Sequence, residues 1–148
     1  MKLIKTLPHS VVNDNKEAII NRSDVAVICI LEPDEQPIFD RTTHRILSVR
    51  FDHSLPGAMP GNSKQVAFSD AHATKILDFL LGLENFTCID KMLVSCNDGS
   101  SLSGAVAKAA RKHFGVDAEK FHLDNPFIRP NKHVLRKLHE TRKSLVTA

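Results

Sequence analysis

Cys96 stands where a run of strand-forming residues stops. Met92-Leu93-Val94-Ser95-Cys96 is mostly apolar, whereas Asn97-Asp98-Gly99-Ser100-Ser101 is small, polar and turn-forming. From Leu102 to Phe114 the chain is dense in alanine and is stopped by Gly115, which predicts a helix. A cysteine at the carboxyl end of a strand, five loop residues and then a helix start place the sulfur where backbone N–H groups and the helix dipole converge. Such a loop is an anion cradle, and the same field stabilises a thiolate, so Cys96 reads as a candidate nucleophile. The competing reading makes Cys96 a small buried hydrophobe. The loop formers that follow favour the functional one.

The elements that position this segment are legible on either side of it. Val25–Leu31 is continuously apolar and β-branched, and Arg45–Phe51 is a second predicted strand. Pro56, Gly57, Pro60 and Gly61 make residues 54–68 an irregular loop. Ser69 is placed to cap a helix over Asp70–Leu81, with Ala73, Ile76, Leu77 and Leu80 on one face and Gly82 as its stop. A short helix is expected near Asp117–His122. Another runs from Lys132 to Thr141 or beyond, capped by Asn131 and carrying a Val134, Leu135 and Leu138 stripe. Strands alternating with helices predict an α/β sandwich with a largely parallel sheet.

Composition bounds the remaining readings. The 148 residues suffice for a single domain, 1–148, and 42% hydrophobic with 25% charged residues excludes wholesale disorder and rod-like chains. The longest apolar runs fall short of the ~20 residues of a membrane helix, and Met1-Lys2-Leu3-Ile4-Lys5 has no leader-like core. The expectation is a cytoplasmic protein without a membrane partner. A net charge of +3, from 20 basic against 17 acidic residues, is too balanced to point to nucleic acid. The basic tail from Arg129 to Lys143 reads as a solvated helix face. Three cysteines leave at least one free thiol. Neither they nor His113, His122, His133 and His139 have metal-ligand spacing, so no metal or cofactor is implied, the histidines read as solvated, and Cys88 reads as core.

The segment from Val94 to Ala107 resembles the cysteine-dependent tyrosine and dual-specificity phosphatases, whose signature is His-Cys, five residues, Arg, then Ser or Thr. Cys96 takes the nucleophile position, Gly99 the loop glycine and Ser103 the hydroxyl position. Ser95 replaces the signature histidine and Leu102 the signature arginine. The order of Arg50-Phe51-Asp52-His53, the loop, the helix ending Ile76-Leu77-Asp78-Phe79, the strand and the alanine-rich helix also follows the family. Pro130 to Leu138 looks like the closing helix of small bacterial and phage members. The likeness runs from about Val25 to the C-terminus and is weakest before Asp40.

The resemblance implies a dual-specificity-phosphatase-like three-layer sandwich, a mostly parallel sheet flanked by helices. It implies phosphomonoester hydrolysis through a Cys96 thiophosphate, with Asp52 protonating the leaving oxygen and Ser103 assisting breakdown of the intermediate. Asn97, Asp98, Gly99, Ser100, Ser101 and Leu102 would form the phosphate-binding loop. The substrate or partner would be a phosphorylated protein or a small phosphomonoester. Asp52 reads almost as readily as a strand-end turn residue, and His53 as a surface residue. Asp98 would repel phosphate if it turned inward, and is expected to face solvent. Leu102 offers no donor to an oxyanion. Loss of one such donor costs ~10²–10³ in rate, and an arginine in phosphoryl transfer is worth ~10³–10⁵. The expected activity is therefore strongly weakened or lost, unless Arg129 enters the vacancy. The alternative is a non-catalytic pseudophosphatase that binds phosphate or a phosphorylated partner.

Overall fold

Four strands form one wholly parallel sheet in the computed structural model, which describes residues 1–55 and 65–147. They are β1 (Leu3–Pro8), β2 (Val25–Leu31), β3 (Ile46–Arg50) and β4 (Lys91–Cys96), in the spatial order β1-β4-β2-β3. Parallel neighbours require crossovers. The first passes through α1 (His9–Asp14) and α2 (Lys16–Ile20), and the last through α3 (Asp70–Leu83). After β4 come α4 (Leu102–Phe114), α5 (Ala118–Asp124) and α6 (Lys132–Thr147). Residues 56–64 of the predicted loop lie outside the described residues.

β2 is flanked by β4 and β3, and all seven of its residues are buried, which is why its sequence shows no polar alternation. Its side chains still alternate between faces. Ala26, Ile28 and Ile30 enter the larger core with residues of α3, α4 and α6, while Val25, Val27 and Cys29 meet Val12 of α1, Ile19 of α2, Ile38 and Phe39. The sheet is thus covered on both faces, giving the expected three-layer α/β sandwich.

Local capping agrees with the predicted helix starts. At α3, the Ser69 hydroxyl accepts from the His72 backbone N–H at 3.4 Å, and His72 Nδ1 accepts from the Ser69 N–H at 3.0 Å, a reciprocal capping box. The helix continues through Gly82 rather than stopping there, because buried Leu83 is part of the core. That packing outweighs the about 1 kcal/mol disadvantage of an internal glycine. α4 ends at Gly115 with φ +68°, α5 is capped by Asp117, and Asn131 Oδ1 accepts from the Val134 N–H at 3.0 Å at the start of α6.

The first strand has no counterpart among the predicted elements. β1 is an edge strand in which only Ile4 and Thr6 are buried, so it lacks a continuous apolar run. Its side-chain and backbone groups are met by Asn125, a buried residue after α5. Asn125 Oδ1 accepts from the Thr6 N–H at 2.8 Å, and its Nδ2 donates to Ile4 O at 2.8 Å and Phe121 O at 3.0 Å. One amide side chain thereby completes part of the strand's outer edge.

Two single-residue readings change. Cys88 is exposed, ahead of β4, rather than core. Residues 91–96 then carry the chain some 3.3 Å per residue along β4 before Cys96, far beyond disulfide reach. The His113 side chain is buried and lies 2.8 Å from Glu84 Oε1, because the helical period turns it inward. Among the described residues, no helix is long and apolar enough to cross a membrane.

Candidate functional site

The carboxyl end of β4 lies beside that of β1, with Cys96 opposite Pro8 in register. The chain must turn over β1 to enter α4, and Gly99 makes that passage. Its φ is +69°, and a Cβ there would stand 2.5 Å from Pro8 N, so both conformation and space require glycine. The outer side of the loop is held by the segment before α6: Ser100 O accepts from the Arg129 N–H at 3.2 Å and Ser101 O from the Asn131 N–H at 3.0 Å. The N-terminus of the 13-residue α4 follows directly.

At the base of the loop, Cys96 is buried, with its Sγ 3.2 Å from Asp98 Oδ1 and 3.1 Å from Ser103 Oγ. The thiol has one hydrogen to donate and two oxygens within reach. Ser103, the hydroxyl position of the resembled signature, is fully buried beside the sulfur. Asp98 Oδ1 also accepts from the Ser100 N–H at 2.9 Å and the Ser101 N–H at 3.4 Å. Partial burial works against ionisation of Asp98, but the Ser100, Cys96 and Ser101 hydrogen bonds and nearby His53 together hold its carboxyl below the usual range. Two of the six expected amide donors are therefore engaged by the loop's own anion. Asp98 is exposed, as expected of a residue facing solvent, but its Oδ1 folds back over the loop because unpaired N–H groups attract it.

Ile30, Glu32, His53, Cys96, Asn97, Asp98 and Leu102 line a cleft of about 180 Å³ above the sulfur. Among the described residues, two carboxylates, Glu32 and Asp98, face it with one ionisable base, His53, whose Nδ1 lies 3.9 Å from Glu32 Oε1. Leu102 is only 2% exposed and adds an apolar wall. Arg129 does not line the cleft, so it does not replace a guanidinium there. His53 and Glu32 belong to the ends of different strands, and only the sheet order brings them to Cys96.

Asp52 lies outside this cleft lining and is used elsewhere. Its Oδ1 accepts from the Ser54 N–H at 2.8 Å and its Oδ2 from the Val66 N–H at 3.0 Å, while its own N–H donates to Val66 O at 2.8 Å. Burial raises its carboxyl pKa, but bonds from Ser54 and Val66 and the charge of His53 outweigh this and leave it below the usual range. It is an acceptor that staples the two ends of a loop, matching the turn-residue reading.

Behind the loop lies a network that local sequence does not announce. His9 Nε2 stands 2.9 Å from Ile30 O and Nδ1 2.9 Å from Ser95 Oγ. A carbonyl can only accept, so Nε2 carries the proton and, in the neutral ring, Nδ1 accepts from the Ser95 hydroxyl. His9 and Ser95 are 86 residues apart, and the β1–β4 register brings them together. Ser95 also contacts Cys29, whose thiol is pushed up to about 11 by burial, with the Ser95 hydrogen bond offsetting part of the effect. Cys29 is therefore an inert core thiol.

No protein-family model and no curated protein sequence matches the chain. Its fold does match solved structures. The human tyrosine phosphatase-like serine/threonine/tyrosine-interacting protein superposes with a TM-score of 0.62 at 17% identity, covering 98% of this chain and 93% of that one. Human DUSP28 gives 0.58 at 17% identity, covering 97% and 94%. PTPMT1 in complex with PI(5)P gives 0.56 at 14% identity, covering 99% and 93%. The chain has the dual-specificity phosphatase fold.

Proposed function

We propose that this chain is a phosphatase-fold protein in which phosphomonoester hydrolysis through Cys96 is strongly weakened or lost. The observation that carries the proposal is the Asp98 carboxylate seated on the Ser100 and Ser101 amides, 3.2 Å from the sulfur. A phosphate must displace it before reaching Cys96. Leu102, at the position where the resembled signature has arginine, then offers the phosphate no compensating cation. Asp52 is committed to backbone donors as an anion, so no proton is held ready for the leaving oxygen. Cys96 Sγ and Ser103 Oγ lie 3.1 Å apart, as attack and assisted breakdown would need, but among the described residues the cleft lining holds no Lys or Arg, and its one base, His53, stands near Glu32.

A binding role is the second reading, favoured by the loop itself. Gly99, Arg129 and Asn131 hold its backbone in place independently of any catalytic group. With Asp98 swung outward, the amides from 97 to 102 other than that of Gly99, whose N–H donates to Cys96 O at 3.3 Å, would receive phosphate on a phosphorylated protein or small phosphomonoester. One structural neighbour is by name a phosphatase-like interacting protein, which supports this direction.

Hydrolysis of p-nitrophenyl phosphate tests the proposal. The native chain is expected to remain at background, and Asp98→Ala with Leu102→Arg to raise turnover by about 10²-fold or more, with Cys96→Ser abolishing the gain. Native turnover of about 1 s⁻¹ or more that Cys96→Ser removes would overturn it. Failure of every variant to bind inorganic phosphate would exclude the binding role.

A further inference from the structure

A second concave surface lies between α4 and α6, and it shares no residue with the Cys96 cleft. Its volume is about 520 Å³. Leu77 of α3, Ala109 of α4 and Leu135 and Leu138 of α6 form an apolar floor. Lys108, Arg111, Lys112, Lys132, Arg136 and Arg142 stand around it, with His139, and among the described residues no carboxylate belongs to the lining. On α6 the spacing from 132 through 135, 136, 139 and 142 keeps these groups on one face.

The charge concentration is local. Six of the chain's 20 Lys and Arg stand here, so the other 14 are outnumbered by 17 acids. Among the described residues, Arg136 alone of the six lies within 4 Å of a carboxylate, Glu140 at 3.9 Å, and both side chains are mostly exposed. Such a pair is weak and readily exchanged for an incoming carboxylate. The remaining cations repel one another across a floor that water wets poorly, and an occupant with matched chemistry relieves both.

We propose that this groove docks an amphipathic acidic segment of a partner protein, its apolar side chains on the floor and its carboxylates against the rim. Nucleic acid fits less well: it has no use for an aliphatic floor, and among the described residues of the lining His139 is the one ring that could stack on a base. A bilayer needs apolar side chains that project beyond the cations, whereas these are recessed between two helices.

A fluorescein-labelled 16-residue peptide tests the proposal by anisotropy on the full chain. It carries Leu at heptad positions a and d and Glu at the flanking positions. A scrambled peptide of the same composition, a duplex DNA and phosphatidylserine vesicles serve as comparisons. Saturable binding of the patterned peptide is expected, with about tenfold or greater weakening on scrambling and in Lys112→Glu/Lys132→Glu/Arg136→Glu. These three positions are exposed, and a thermal melt checks that the variant remains folded. Leu135→Ser should weaken the patterned peptide without changing the scrambled one. Equal binding of both peptides, no binding, or preference for DNA or vesicles would overturn the proposal. Leu102→Arg should leave affinity unchanged, which separates this surface from the cleft.

Discussion

Replacing Asp98 by alanine should convert the loop from a self-occupied cradle into a receptor for external anions. Unit charges about 4 Å apart repel by about 1 kcal/mol in water and about 4 kcal/mol at an effective dielectric of 20. Asp98 is exposed on its outer side, so the lower figure applies, and a phosphate dianion doubles it to about 2 kcal/mol. Releasing the Ser100 and Ser101 N–H groups adds about 1 kcal/mol, since each now spends its donor on Oδ1. The sum, about 3 kcal/mol, corresponds to about a hundredfold gain in affinity. Isothermal titration with inorganic phosphate at pH 7 measures it, with a melt to register the accompanying loss of loop hydrogen bonds. Asp98→Asn removes the charge but keeps an acceptor, and should give an intermediate gain. Native and Asp98→Ala proteins with the same affinity would refute the reasoning, because Oδ1 would then not be competing for the loop.

Asn125→Leu should orphan the Thr6 N–H and Ile4 C=O at the edge of β1, destabilising the protein by about 2–4 kcal/mol and lowering Tm by about 6–15 °C in a differential scanning calorimeter. Burial, and less strongly Lys75, hold the His72 pKa below its ordinary value of 6.5 despite the opposing bond to the Arg50 backbone. The unfolded chain therefore binds the proton more readily. His72's contribution is complete above pH 6.5 and is lost as pH falls through the folded value, where protonation also removes the Nδ1 acceptor for Ser69. Denaturant midpoints should fall on acidification below pH 6.5, and His72→Gln, which can keep the cap, should flatten part of that slope. In the Asp98→Ala/Leu102→Arg background, Asp52→Ala should lower stability by about 1–2 kcal/mol through the Ser54 and Val66 amides, with hydrolysis changed by no more than about twofold. A 10²-fold loss would instead make Asp52 the proton donor.

The elements whose burial is repetitive were legible. β2 is hidden on both faces and reads as seven apolar residues, and α3 announces itself by Ser69 and a four-residue apolar stripe. β1 was not, because an edge strand with two buried side chains carries no period. What stabilises it comes from Asn125, some 120 positions away, through an amide that any turn could hold. The end of α3 was misplaced for a related reason: a local stop at Gly82 competes with a distant contact at Leu83, and local rules contain only the first.

In the site the division falls between position and direction. Residue types located Cys96 at the end of β4, and the resemblance to the phosphatase signature singled out Gly99, which stands against Pro8, and Ser103, whose Oγ is 3.1 Å from the sulfur. The place of Cys96 follows from where the strand formers stop and the loop formers begin. The direction of Asp98 does not. A carboxylate two residues after the cysteine can extend into water or cap the amides that follow it, and the open N–H groups of the loop decide in favour of the second. The same amides that make such a loop attractive to phosphate make it attractive to any acid the loop itself contains. Placing an aspartate inside the turn thus acts twice against a bound dianion, through repulsion and through prior occupancy, and Leu102 leaves neither effect countered. Restoring the guanidinium without moving Asp98 should pair the two side chains with each other before either meets phosphate. Leu102→Arg alone should accordingly recover less hydrolysis than the double substitution, and equal recovery would show that the carboxylate yields freely.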